Sequence, residues 1–92
     1  MSLTLTLTQA RAALDSGFVL DLTPPLTLWL REVNPVTGPG EAFSMIFHAP
    51  AEPALSQQTY RLRHETLGEQ WLFLVPLSEG GEGAVYEALF NN

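Results

Sequence analysis

The sequence predicts a mainly β domain: a six-stranded antiparallel meander closed into a small barrel or sandwich, with one short N-terminal helix. Proline and glycine, seven of each in 92 residues, interrupt the chain at short intervals. Between them lie segments of strand length that alternate between apolar and polar side chains, the period of a pleated strand with one buried face. With 46% hydrophobic and 15% charged residues, the composition is that of a folded domain. The length suffices for one core and leaves no room for a second, so residues 1–92 are expected to form a single β domain.

At the start, Ser2–Thr8 alternates leucine with serine or threonine, as a strand does. Thr6 and Gln9, however, have capping-box spacing; Leu7, Ala10 and Leu14 follow at i, i+3 and i+7, and Gly17 stands where a helix would stop. An extended lead into a helix over Thr8–Ser16 is therefore expected. The alternating lead is also a segment that another subunit's open edge could accept as a strand. Phe18–Thr23 reads as the first strand, with Phe18, Leu20 and Leu22 on one face, and Pro24-Pro25 ends it because neither residue can donate to a ladder. Leu26–Val33 turns Leu26, Leu28 and Leu30 inward and Thr27, Trp29 and Arg31 outward. Asn34–Gly40 is read as a loop because its prolines and glycines cannot propagate a ladder.

Ala42–His48 sends Phe43, Met45 and Phe47 one way and Ser44, Ile46 and His48 the other. Ala49–Gln58, with Pro50 and Pro53, is long for a hairpin and reads as a surface loop in which Leu55 can act as a plug. Thr59–His64 sets Tyr60, Leu62 and His64 against Arg61 and Arg63. Glu65–Gly68 makes a short turn, with Gly68 free to take positive φ. Glu69–Leu77 follows, then the glycine-rich loop Ser78–Gly83, then the last strand, Ala84–Asn91.

One strand breaks the alternation. Trp71–Leu77 is apolar on both faces, and its expected neighbour carries Val85 and Leu89 opposite Tyr86, Ala88 and Phe90. A sheet that meets water on one side does not need this pattern. Trp29 and Ile46 join the outward apolar set, and the helix, built mostly of Ala10, Ala13 and Leu14, is too slight to cover it. Each large side chain left wet forgoes about 1.5–3 kcal/mol of burial. A protein interface around Trp29, Ile46, Leu72 and Leu74 is therefore expected. The competing reading covers this face from within the chain, by a barrel with the helix and the Ala49–Gln58 loop packed outside it.

The charge balance and side-chain inventory narrow the chemistry. Four arginines and no lysine stand against ten carboxylates, and the net charge of −6 repels phosphate backbones and anionic lipid, so neither nucleic acid nor a membrane is an expected partner. Without cysteine there is no disulfide, thiolate nucleophile or cysteine metal cluster. His64-Glu65 opens like a zinc-protease motif, but Gly68 stands where the second histidine belongs. His48 and His64 lack a third ligand of suitable spacing. Ser44 and His48 lie about 13 Å apart along one strand, too far to act as nucleophile and base. Glu65, Glu69, Glu79 and Glu82 read as solvated turn carboxylates, and Arg61 and Arg63 as partners of Glu69 or Glu87, or as a fork for a carboxylate on another molecule. No catalytic, cofactor-binding or metal-binding residue is assigned. The first ten residues lack the basic segment and apolar run of a signal peptide, so the cytoplasm of the producing cell is the expected compartment, with export by a route that reads no such signal left open.

Phe43-Ser44-Met45-Ile46-Phe47, Tyr60-Arg61-Leu62-Arg63-His64 with Leu67-Gly68, Phe73-Leu74-Val75-Pro76 and Tyr86-Glu87-Ala88-Leu89-Phe90-Asn91 occur in an order that resembles a family of short bacterial proteins known only as a domain of unknown function. Its members end in a similar Tyr-Glu-Ala-x-Phe-Asn and look like companions of phage-type tail-collar fibre proteins. The resemblance covers Glu41–Asn91 well and the first 40 residues loosely, and it departs at His48-Ala49, where the family prefers arginine and glycine before the proline. It implies no catalytic residues. The function expected is that of a non-enzymatic structural or assembly protein associated with phage-tail-like fibre components, contacting a fibre-like partner or its own copy. The alternative is a small-ligand or carbohydrate-binding β module with Trp29 or Trp71 as the stacking platform.

Overall fold

The structure, a computed structural model, describes residues 5–37, 42–77 and 83–91. It contains one helix, α1 (Leu7–Ala12), and six strands: β1 (Gly17–Leu20), β2 (Leu26–Val36), β3 (Ala42–Ala49), β4 (Gln58–His64), β5 (Gly68–Leu77) and β6 (Ala84–Asn91). All neighbouring strands are antiparallel, and they close into a barrel in the order β1-β2-β3-β6-β5-β4, with β4 returning to β1. The expected meander is present as two three-stranded halves. The long connection between β3 and β4 carries the chain past the barrel, so that β4 pairs with β1 and β6 with β3.

Closure creates one interior, filled from every strand by Phe18, Leu28, Leu30, Phe43, Met45, Phe47, Leu62, Leu72, Leu74 and Tyr86. Phe18 meets Phe47 edge to face at 5.2 Å, and Phe43 stacks on Phe90 at 5.3 Å, both favoured ring geometries. Leu55, the expected plug, is buried, and its backbone N–H donates to the Tyr86 hydroxyl at 2.9 Å. A loop anchored to an inward tyrosine thus covers part of the core.

The helix starts as its capping box dictates. Thr6 Oγ1 accepts from the Gln9 N–H at 3.1 Å, while Gln9 Oε1 accepts from the Thr6 N–H at 3.0 Å. It ends earlier than the expected Ser16, because Asp15 takes a φ of 66° and its N–H donates to the Leu30 carbonyl on β2. The chain therefore joins the sheet where another helical turn was expected, and Gly17 opens β1. Ala10, Ala13 and Leu5 are buried, whereas Leu14, placed on the apolar stripe, is exposed.

Two strand ends also differ from expectation. β1 stops at Leu20, where the Leu22 N–H turns back to the Leu20 carbonyl at 2.8 Å, and Leu22 is exposed rather than inward. β2 runs on through Asn34 and Pro35 to Val36, pairing Pro35 with Phe43. Beyond Trp29, no described strand pairs with the other side of β2, and an edge position of this kind tolerates a residue without an N–H. The register slips between Leu30 and Glu32, a bulge that re-aims the outer half of the strand. Gly68 takes the expected positive φ, 73°, at the β4–β5 turn. The expectations for Ser2–Thr4, for Gly38–Gly40 and for residues 78–82 lie outside the described residues.

Candidate functional site

β5 decides which surface is available for function. Its burial alternates, with Gln70, Leu72 and Leu74 inside and Trp71 and Phe73 outside. The strand is apolar on both faces, but the placement of Leu72 and Leu74 on the outer face is corrected: both are completely enclosed. The small six-stranded barrel is filled by side chains that include Leu72 and Leu74, and the indole of Trp71, on the opposite face of the strand, is directed to water. The four residues named for an interface are therefore not brought together. Trp29, 43% exposed, and the half-buried Ile46 face outward from β2 and β3, while Leu72 and Leu74 belong to the core.

The outer apolar surface instead centres on Trp71, 65% exposed, Phe73, 49%, and Leu89, 63%. The β5–β6 ladder begins at Leu74 and Ala88, and Phe73 and Leu89 each lie one residue beyond that pair, on the exposed face of its own strand. Farther along, Leu77 faces Val85, while Val75 faces Glu87, a carboxylate that stands between Val85 and Leu89 on β6. On the far side Trp71 lies across from Arg61, whose guanidinium carbon stands 5.9 Å from the ring centroid, a cation–π contact at the rim.

A second feature lies over the short strand β1. There the outer residues Gly17 and Val19 are flanked by Trp29 and Thr27 on β2 and by Arg63 and the Glu65–Glu69 turn on the other side. The result is an open groove of about 670 Å³. Gly17 shapes its floor: a Cβ at that position would lie 2.8 Å from Thr27 Cγ2 and 3.4 Å from Trp29 Cζ3, so only glycine lets the indole lean over the strand.

Arg63 is committed within this region. Its Nε donates to Asp21 Oδ2 at 3.2 Å and its second terminal nitrogen to Asp21 Oδ1, a two-bond fork joining β4 to the end of β1. The hydrogen bond to Arg63, reinforced by the charges of Arg63 and Arg61, holds the Asp21 carboxyl below the usual carboxylate range, and the same bond raises Arg63. The expected Arg61–Glu69 pair is present at 3.9 Å; the expected carboxylate fork for Arg63 is supplied from within the chain, by Asp21.

His64, buried at the end of β4, meets Ser16 across 48 positions of sequence, with Nε2 2.7 Å from Ser16 Oγ. A serine beside a histidine has the composition of a nucleophile and its base, but the polarity here runs the other way. His64 Nδ1 accepts from the backbone N–H groups of Thr66 at 3.1 Å and Leu67 at 3.2 Å, which assigns the ring proton to Nε2. Nε2–H therefore donates to Ser16, whose hydroxyl donates to the Ala13 carbonyl. A general base would need Nε2 bare and Nδ1–H held by a carboxylate. This chain of bonds clasps the helix exit to the barrel. Sequence reasoning missed it because neither residue carries a local motif. His48 lies on the outer face of β3 opposite Trp29, remote from His64, and among the described residues no group of three potential ligands is placed to hold a metal ion. No described helix is long and apolar enough to cross a membrane.

Comparison with known proteins yields one match. No curated protein and no solved structure matches the chain. The model of one family, described as a domain of unknown function, DUF6916, extends over residues 5–90, from the buried Leu5 at the entrance to the helix through Phe90 on the last strand. It includes the clasp, the groove and the outer aromatic face, and the chain belongs to this family.

Proposed function

We propose that this protein is a non-enzymatic assembly protein that acts through protein–protein contacts made by the outer face of β5 and β6, with a fibre-like, phage-tail-type component or a second copy of the chain as its partner. The observation that carries this reading is the exposure of Trp71, Phe73 and Leu89 on the outer faces of β5 and β6, neighbouring strands whose inner faces already fill the core. A core that is complete without them gives these residues no role in folding, and an aromatic and aliphatic patch on a closed barrel is the mark of a contact surface. The fibre-like partner rests on the ordered motifs that end in Tyr86-Glu87-Ala88-Leu89-Phe90-Asn91.

Mixing the protein with a phage-tail-type fibre protein, followed by light scattering, tests the reading. A mass above that of either component is expected, or a mass above one chain for the protein alone. A single-chain mass in both experiments would overturn it. A second reading, small-ligand binding, is favoured by one specific observation, the groove over β1 with Trp29 as one wall.

A further inference from the structure

We propose that the groove over β1 is a binding site for an organic cation, a guanidinium or ammonium group on an aliphatic stem. The proposal rests on the small-ligand reading of the groove and goes beyond it by naming the ligand's chemistry; it is independent of the contacts made by β5 and β6.

The wall on one side is the indole of Trp29, 43% exposed, whose Cζ3 and Cη2 atoms reach over Gly17, so that an aromatic ring borders the groove. The wall on the other side carries Glu65 and Glu69. Among the described residues Glu65 has no ion pair, whereas Glu69 meets Arg61 at 3.9 Å and stands across the ladder from Arg63, with which it also interacts. Arg63, the one cation lining the groove, has its fork occupied by Asp21. The unpaired Glu65 carboxylate, Glu69 and the Trp29 indole thus border a floor of Gly17 and Val19, in a chain with a net charge of −6.

An aromatic face opposite carboxylates is the chemistry that holds a guanidinium or ammonium, while the apolar floor suits its methylene stem. A neutral sugar fits less well. The groove's Ser16 hydroxyl and His64 ring are already bonded to each other and to Ala13, Thr66 and Leu67, which leaves few uncharged groups to receive sugar hydroxyls.

The test is a nuclear magnetic resonance titration of the full chain with Nα-acetyl-arginine methyl ester, the isosteric neutral citrulline ester and methyl glucoside. The arginine ester should shift the Trp29 indole N–H and the Gly17 amide saturably, with a dissociation constant on the order of millimolar, and leave the Trp71 indole in place. Glu65→Gln and Trp29→Leu, each checked for an unchanged spectrum elsewhere, should each weaken binding at least about threefold, and added salt should weaken it further.

A short peptide carrying arginine between leucines identifies the source of the cation. Tighter binding than the ester points to a side chain of a protein, and equal binding to a free small cation. Equal response to the citrulline ester, or binding of the glucoside alone, would overturn the cation proposal while leaving small-ligand binding in place. The absence of any saturable shift would overturn both.

Discussion

Ser16 and His64 illustrate how single residues fix this fold without marking it in the sequence. The Ser16 hydroxyl stands between His64 Nε2–H and the Ala13 carbonyl, so Ser16→Ala removes the acceptor of a buried donor and the donor to a helix-end carbonyl together. A loss of about 1–3 kcal/mol is expected by urea denaturation. Asp21 acts at the surface, where its bond to Arg63 fastens the short strand β1 to β4. Because its carboxyl titrates lower in the folded chain than in the unfolded one, its stabilisation is fully present above the ordinary aspartate range of about 4 and is lost as pH falls through the lower folded value. Asp21→Asn should therefore be less stable than the parent at neutral pH, and the difference should vanish in strong acid. Urea midpoints measured at both pH values check this, and a difference that grows on acidification would contradict the sign.

At the scale of the element, β5 carries the most consequence because its two faces are equally apolar in composition and opposite in role. Leu72→Ala empties a fully enclosed site and should cost about 2–5 kcal/mol. Phe73→Ser, one position on, should change folding stability by no more than about 0.5 kcal/mol, since its ring lies on the outside. Equilibrium denaturation of the two variants side by side reads the face assignment directly.

That assignment was legible in the sequence, though not from the strand itself. The tight turn after His64 sets His64 opposite Gly68, which places Leu62 across from Gln70 and Tyr60 across from Leu72. Cross-strand partners share a face, so the inward set of β4 already required Leu72 and Leu74 to point inward. The other strands were readable because each alternates clearly, and the capping box announced the helix start. The helix end was not readable, since Asp15 leaves the helix to bond Leu30, a residue remote in sequence. The groove was hidden for the same reason: Gly17 and Trp29 become neighbours only through the β1–β2 register, and Glu65 joins them only through barrel closure.

For the whole molecule, closure explains why the core and the contact face can coexist in so small a chain. A closed barrel completes its interior with one face of each strand and frees the other faces. It also bears on the idea that the N-terminal segment supplies a strand to another copy. All six strands are engaged on both sides somewhere along their length, and among the described residues backbone without a ladder partner remains on the outer part of β2, the first half of β4, both ends of β5 and the end of β6. Strand donation would have to use those stretches, whereas the side-chain patch on β5 and β6 needs no rearrangement.

The most direct test is the sedimentation mass of the parent protein, alone and with the fibre component, set against a variant carrying Trp71→Ser, Phe73→Ser and Leu89→Ser. A complex or oligomer is expected for the parent and a folded single chain for the variant, with an unfolding free energy within about 1 kcal/mol of the parent's. A variant that assembles as the parent does would show that the exposed face of β5 and β6 is not where this protein meets its partner.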